Sequence, residues 1–385
     1  MQHTMPFLST LTAARAPLAA FAAMGVVWGT FAAVLPDVQV MLGVDEGRLG
    51  LLMLMTPLAA VLSMLVAPLV GVHLGRVALP VASLAMALAF ALPGQVANVW
   101  LFPLAMMCCG AGTGLTDVLM NARVSAIENS RNIHLMNLCH AAYSFGYAGA
   151  AMGTGAMRAA AWSPGWVMGT MALMAAVFAL LTYEVDGKIE GLARPKGKGM
   201  AHLGLIPVIG GAIVLIAFMT ENAAENWSAL HIEKTLGGSP EEGALGPAAL
   251  ALTMGFARLG GQGLAGRVNP FTLLRVGAVI AAIGALIASQ ASAPVGAYAG
   301  FIVMGIGASV LAPTAFSLVG QLARPEARAR AIARATLLGY FGYFVGPPLL
   351  GVIAGAFGLR AAFVWAALLV GMVFVLAPVL ARQRT

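Results

Sequence analysis

The chain has 385 residues, of which 60% are hydrophobic and only 9% charged, and its net charge is +7. A soluble domain carries about 25% charged residues, so this sequence cannot clothe a water-facing surface of its size. A conventional soluble protein is thereby excluded.

The apolar residues come in runs of roughly 20, the length a helix needs to cross the hydrocarbon of a bilayer. They do not alternate with polar residues as barrel strands would. The composition predicts an all-α integral membrane protein of twelve transmembrane helices in two six-helix halves. In chain order the spans fall at 17–41, 47–70, 77–94, 98–122, 134–157, 164–184, 205–230, 243–264, 271–290, 294–319, 331–354 and 360–380. The widest polar gap divides them into an N-terminal half (1–184), a cytoplasmic linker (185–204) and a C-terminal half (205–385).

Met1–Ala16 reads as a short cytoplasmic tail, because the first apolar run is too long for a signal-peptide core. Span 1 carries Trp28 and, toward its outer end, Asp37. The turn after span 2 reads Gly71-Val72-His73-Leu74-Gly75-Arg76. Span 4 contains Cys108, Cys109, a Gly110-x-Gly112-x-Gly114 run, and then Asp117 and Asn121 in its inner half. Span 5 holds Cys139, His140, Tyr143 and Gly149-x-x-x-Gly153. The cysteines have no metal-ligand spacing and read as small buried hydrophobes. The glycine runs read as places of close helix approach.

In the second half, span 7 carries Glu221, Asn222, Glu225 and Trp227 toward its outer side. Span 8 carries Arg258, read as pairing with a carboxylate or snorkelling to the cytoplasmic surface. The next turn, Gly263-Leu264-Ala265-Gly266-Arg267, echoes the one after span 2. The run from Arg324 to Arg334 reads as a cytoplasmic loop touching anionic lipid. Span 11 contains Gly346-Pro347-Pro348, which should kink or loosen it.

With both termini inside, all but four of the 21 Lys and Arg residues fall on the cytoplasmic side. The exceptions are Arg48, Arg158, Lys234 and Arg360. This is the positive-inside distribution, and an odd number of spans would scramble it.

A carboxylate in mid-bilayer costs about 2.5–3.5 kcal/mol on insertion scales, and protonation relieves much of that. Asp37, Asp117 and Glu221 are therefore candidates for proton coupling. Each also has a plainer reading. Asp37 is near a helix end and within reach of interfacial water, and Asp117 is near Arg123 and Arg76. Glu221 and Glu225 share a helix face at i, i+4, but Glu225 is close to the outer surface. Asn121, Asn222, Glu225, Trp227, His140, Tyr143 and Trp28 are candidates for substrate binding. For Trp227 an interfacial anchor is the alternative; for His140, Tyr143 and Trp28 it is packing. No metal cluster, cofactor loop, nucleophile triad or nucleic-acid signature stands out, so the chain is not expected to be an enzyme.

Six plus six spans, a basic central loop and paired Gly/Arg turns resemble the major facilitator superfamily. Four stretches carry a narrower resemblance to the fucose–proton symporter family and its bacterial relatives. They are Leu35-Pro36-Asp37, Gly114–Asn121, Glu221–Leu230 and Gly339–Pro348. The resemblance implies alternating access, with the cavity lined by helices 1, 4, 7 and 10. It makes Asp37 the proton carrier and Asp117 a coupling or binding partner. Pro36 stands where sugar-transporting relatives tend to have Asn. The expected protein is a monomeric, proton-coupled secondary transporter of a small polar solute in a bacterial inner membrane, with lipid as its surroundings and either direction of transport open to the fold. A proton-driven exporter of amphiphilic compounds and a non-transporting membrane receptor or sensor are the alternatives.

Overall fold

The computed structural model describes residues 11–131, 133–189, 204–265, 268–324 and 327–383. Most of the tail 1–16, linker residues Arg194, Lys196 and Lys198, the turn residues Gly266 and Arg267, and Arg384 lie outside the described residues.

Every predicted span coincides with a helix or a pair of helices, and no strand occurs among the described residues. The first half contains α1 (Arg15–Leu42), α2 (Glu46–Met53), α3 (Met55–Leu74), α4 (Ala78–Ala89), α5 (Phe102–Arg131), α6 (Met136–Ala159) and α7 (Pro164–Leu180). The second contains α8 (Ile206–Leu230), α9 (Pro240–Ala265), α10 (Pro270–Gln290), α11 (Pro294–Ala308), α12 (Leu311–Leu322), α13 (Arg328–Phe357) and α14 (Leu359–Ala381). Among the described residues, eight helical stretches are long and apolar enough to cross a membrane. Their outer faces carry large exposed apolar side chains such as Leu65, Leu69, Val72 and Leu368. Such a surface is stable only against lipid. Trp100 and Trp166, strongly exposed near helix ends, fit an interfacial aromatic belt.

The chain packs as two compact units, 1–34 with 55–195, and 35–54 with 196–385. In the first unit, α5 lies on α3 with backbones in contact. A Cβ on Gly110 or Gly114 would overlap the carbonyl of Thr56 or Ala60. Between α1 and α6, a Cβ on Gly25 or Gly29 would overlap the backbone of Tyr143 or Tyr147. Lipid tails are as apolar as leucine, so helices associate in the bilayer through such van der Waals contacts. Gly149, expected to do the same, has no neighbour within 4 Å. It is exposed, so this half of the predicted Gly149-x-x-x-Gly153 contact does not form.

In the second unit, Ile213, Val214 and Ala217 of α8 form a core with Leu274 and Ala278 of α10, Leu311 and Ala315 of α12, and Val370 and Val373 of α14. Helix α13 packs on α8 and on α2. It runs unbroken through Pro347 and Pro348, with Gly50 of α2 against the Pro347 carbonyl. The prolines therefore lie inside a continuous helix, against a neighbouring backbone. Helix α8 ends in a π-helical turn, His231–Thr235.

Candidate functional site

Each unit contributes its own set of polar groups. In the first, Asp117 and Asn121 sit one turn apart on α5. The Asn121 Nδ2 donates to the Asp117 backbone carbonyl at 2.8 Å and to its Oδ1 at 3.1 Å. Both side chains are half-buried. Arg123, one predicted partner of Asp117, is engaged elsewhere. Its guanidinium meets Glu184 at 2.7 Å and, more loosely, Asp186 at 3.9 Å. That buried pair ties the end of α5 to the segment after α7.

The predicted ligand-stacking residues of this unit sit in aromatic contacts. Trp28 is half-buried and meets Phe90 edge-on at 5.0 Å and Phe31 at 5.9 Å. His140 packs edge-on against Phe21 at 4.9 Å, and Tyr143 lies 5.9 Å from the ring of Tyr147. The close glycine contact between α1 and α6 sets the approach at which His140 of α6 meets Phe21 of α1.

Two groups of this unit were not singled out as site residues in the sequence. Glu128 accepts from the backbone N–H groups of Leu135 and Met136, at 2.5 and 2.9 Å. It thereby satisfies donors at the start of α6 that no intrahelical carbonyl can reach. Arg158 was read only as an outer-side charge. It is buried, and it donates to the Ala33 carbonyl of α1 at 2.8 Å. Proline at 36 disturbs the carbonyls a turn before it, and Arg158 supplies a donor there. The sequence signal was an arginine in the last turn of an apolar helix opposite a helix containing proline.

In the second unit the polar groups concentrate on α8. Glu221 is buried, and its Oε1 lies 3.9 Å from Nη2 of Arg258 on α9. This resolves the reading of Arg258 in favour of a carboxylate partner. The separation exceeds hydrogen-bonding distance, so the contact is an ion pair only. Glu225, one turn on, is half-buried. Asn222 is buried, and Gly346 of α13 faces its Oδ1, which has no hydrogen-bond partner among the described residues. One turn earlier on α8, Phe218 stacks on Tyr343 with centroids 4.6 Å apart, and Tyr340 lies 5.9 Å from it. Side chains of α8 and α13 thus combine three aromatics with an amide. The tyrosines lie in the Gly339–Pro348 stretch, where the sequence carries no signal that separates them from packing aromatics.

Trp227 is not at the surface as an interfacial anchor would be. It is only 1% exposed, against Gly351 of α13, and its indole N–H has no protein acceptor among the described residues. His231, also overlooked, is fully buried in the π-helical turn, with Nε2 3.0 Å from the Ala288 carbonyl. Asp37 is half-buried in α1 just past Pro36, in the part of that helix that belongs to the second unit. Lys234 joins Glu46 of α2 at 2.7 Å.

No cluster able to hold a metal ion occurs among the described residues. The polar groups of each unit are dispersed amides, rings and ion pairs.

A family model described as Major Facilitator Superfamily matches residues 18–299 and 209–385. An uncharacterized MFS-type transporter of Yersinia pestis is 27% identical over 361 residues, covering 91% of each chain. Among solved structures, a bacterial homolog of the human lysosomal transporter Spinster superposes with a TM-score of 0.74 at 14% identity, covering 99% of this chain and 98% of that one. The transporter FucP, in its outward conformation, gives a TM-score of 0.59 at 17% identity, covering 96% of this chain and 99% of that one.

Proposed function

Because the chain belongs to the Major Facilitator Superfamily, and is thus a multi-pass membrane transporter rather than an enzyme, we propose that it carries a small polar solute coupled to protons by alternating access. The observation that supports this most directly is the ion pair of buried Glu221 with half-buried Arg258, next to Asn222 on α8. Charges inside membrane helices are expensive and are retained mainly where a substrate or proton passes. Protonation of Glu221 would release Arg258, and a solute carrying hydroxyl or amide groups would meet Asn222, Tyr340 and Tyr343.

In this reading Asp37, Asp117 and Glu221 serve coupling. Asn121, Asn222, Glu225, Trp227, His140, Tyr143 and Trp28 serve binding. The halves 1–184 and 205–385 divide at the linker 185–204. The protein crosses a bacterial inner membrane twelve times, with both termini in the cytoplasm, and works as a monomer. A proton gradient would shift the balance between conformations through its differential affinity for them.

The test begins with a thermal-shift screen of the purified protein against sugars, amino acids, peptides, carboxylates, amines and hydrophobic cations. A ligand at about 100 times its dissociation constant stabilises the native state by about 2.7 kcal/mol. A polar hit is then followed as uptake into proteoliposomes under an inward proton gradient. Gradient-driven uptake that Glu221→Gln uncouples supports the proposal. Hits confined to hydrophobic cations, with flux outward, would replace it with the exporter. Binding without any flux would replace it with a sensor.

A further inference from the structure

We propose that the groove between α10 and α14 holds an anionic phospholipid, with its phosphate on Arg275 and an acyl chain along the apolar wall below. The groove has a volume of about 350 Å³ and is lined by Thr272, Arg275, Val276, Val279, Ile280 and Phe374. Five of these six residues offer no charge, and Val276, Val279 and Phe374 are exposed on the outer face of their helices. In an integral membrane protein that face meets lipid.

Arg275 selects the kind of lipid. It is exposed, and its guanidinium carbon sits 4.1 Å over the ring of Phe374. No ion pair among the described residues engages it. A guanidinium stacked on an aromatic face keeps its edge N–H groups directed outward, and its planar fork matches phosphate oxygens. The stacking also fixes a side chain that would otherwise lose conformational freedom on binding.

Depth agrees with this assignment. Asn269 caps α10 by accepting from the Phe271 N–H. Arg275 lies only about 8 Å along the helix from Pro270 at 1.5 Å per residue. Phe374 lies about 10 Å before the end of α14 at Ala381, which Arg382 follows. The cation is thus near the polar edge of the bilayer, where a phosphate resides. Val276, Val279 and Ile280 continue along α10 toward the hydrocarbon. The site does not depend on the transport reading, since none of its residues belongs to the proposed coupling or binding set.

The experiment compares thermal stability in detergent with phosphatidylglycerol, phosphatidylcholine or glycerol phosphate added, and counts retained lipids by native mass spectrometry. Phosphatidylglycerol is expected to raise Tm of the wild type, and the other two to leave it unchanged. Arg275→Gln should raise the phosphatidylglycerol concentration needed for the same shift about fivefold, the worth of one basic residue at an anionic surface. Phe374→Leu, which keeps the wall apolar but removes the ring, should raise it less. An unchanged Tm of both variants without lipid verifies that they fold. The proposal is overturned if phosphatidylglycerol does not stabilise the wild type, or if it stabilises Arg275→Gln equally. An equal effect of phosphatidylcholine would overturn the headgroup assignment, and an equal effect of glycerol phosphate the lipid itself.

Discussion

Two acidic residues of membrane helices, half-buried Asp117 of the first unit and buried Glu221 of the second, find polar partners in different ways. Asp117 has a companion one helical turn away on its own helix, Asn121. Glu221 has its cationic partner on another helix, Arg258 of α9. The first arrangement forms whenever α5 forms. The second exists only when α8 and α9 take one particular rotation about their axes. A local pair therefore tolerates helix movement, whereas a pair between helices reports on it and is altered by it. That difference makes Glu221 the better candidate for a group whose protonation changes conformation.

The comparison can be broken most directly at Arg258. Arg258→Leu should cost about 3–5 kcal/mol, because it leaves Glu221 buried without its countercharge. Adding Glu221→Gln should recover most of that loss, read as Tm in detergent. If the double variant is as unstable as Arg258→Leu alone, the pair is not what holds these helices.

Next in size is the uncharged seam of the first unit. Gly29→Leu forces a side chain into the Tyr147 backbone, and overpacking of this kind costs about 1–3 kcal/mol. Thermal unfolding should show that loss with no dependence on salt. A neutral outcome would mean that α1 and α6 separate without penalty.

Asn121→Ala should cost only about 0.6 kcal/mol, the average for a polar side-chain contact in a membrane bundle. A loss as large as that of Arg258→Leu would erase the distinction between the local and the interhelical acid. The smallest change is expected at Lys234, which is 42% exposed and pairs with Glu46. Lys234→Met should cost about 0.5 kcal/mol or less, as exposed ion pairs do. What remains should vanish in high salt.

Much of the protein was legible in the sequence. The helices follow from the apolar runs, because in lipid every backbone polar group must be satisfied inside its own segment. Family membership was readable from the six-plus-six pattern and from the paired turns. For Asp117 the sequence reading offers Arg123 or Arg76, whereas the structure gives Asn121, four residues on, which helix geometry brings to the same face. For Arg258 the sequence allows a carboxylate or the cytoplasmic surface, and only the fold brings it to Glu221.

What stayed hidden has one physical cause. Hydropathy marks where a helix begins and ends, but between apolar helices in an apolar solvent it does not fix which face turns inward. The sequence by itself therefore determined a helical membrane protein of this superfamily. Only the tertiary structure buried Trp227 against α13 and left Gly149 exposed. It alone brought Arg158 to the Ala33 carbonyl, carried α13 unbroken through two prolines, and sorted residues 35–54 with the second unit. These outcomes rest on side-chain packing between segments far apart in the chain, which no local pattern encodes.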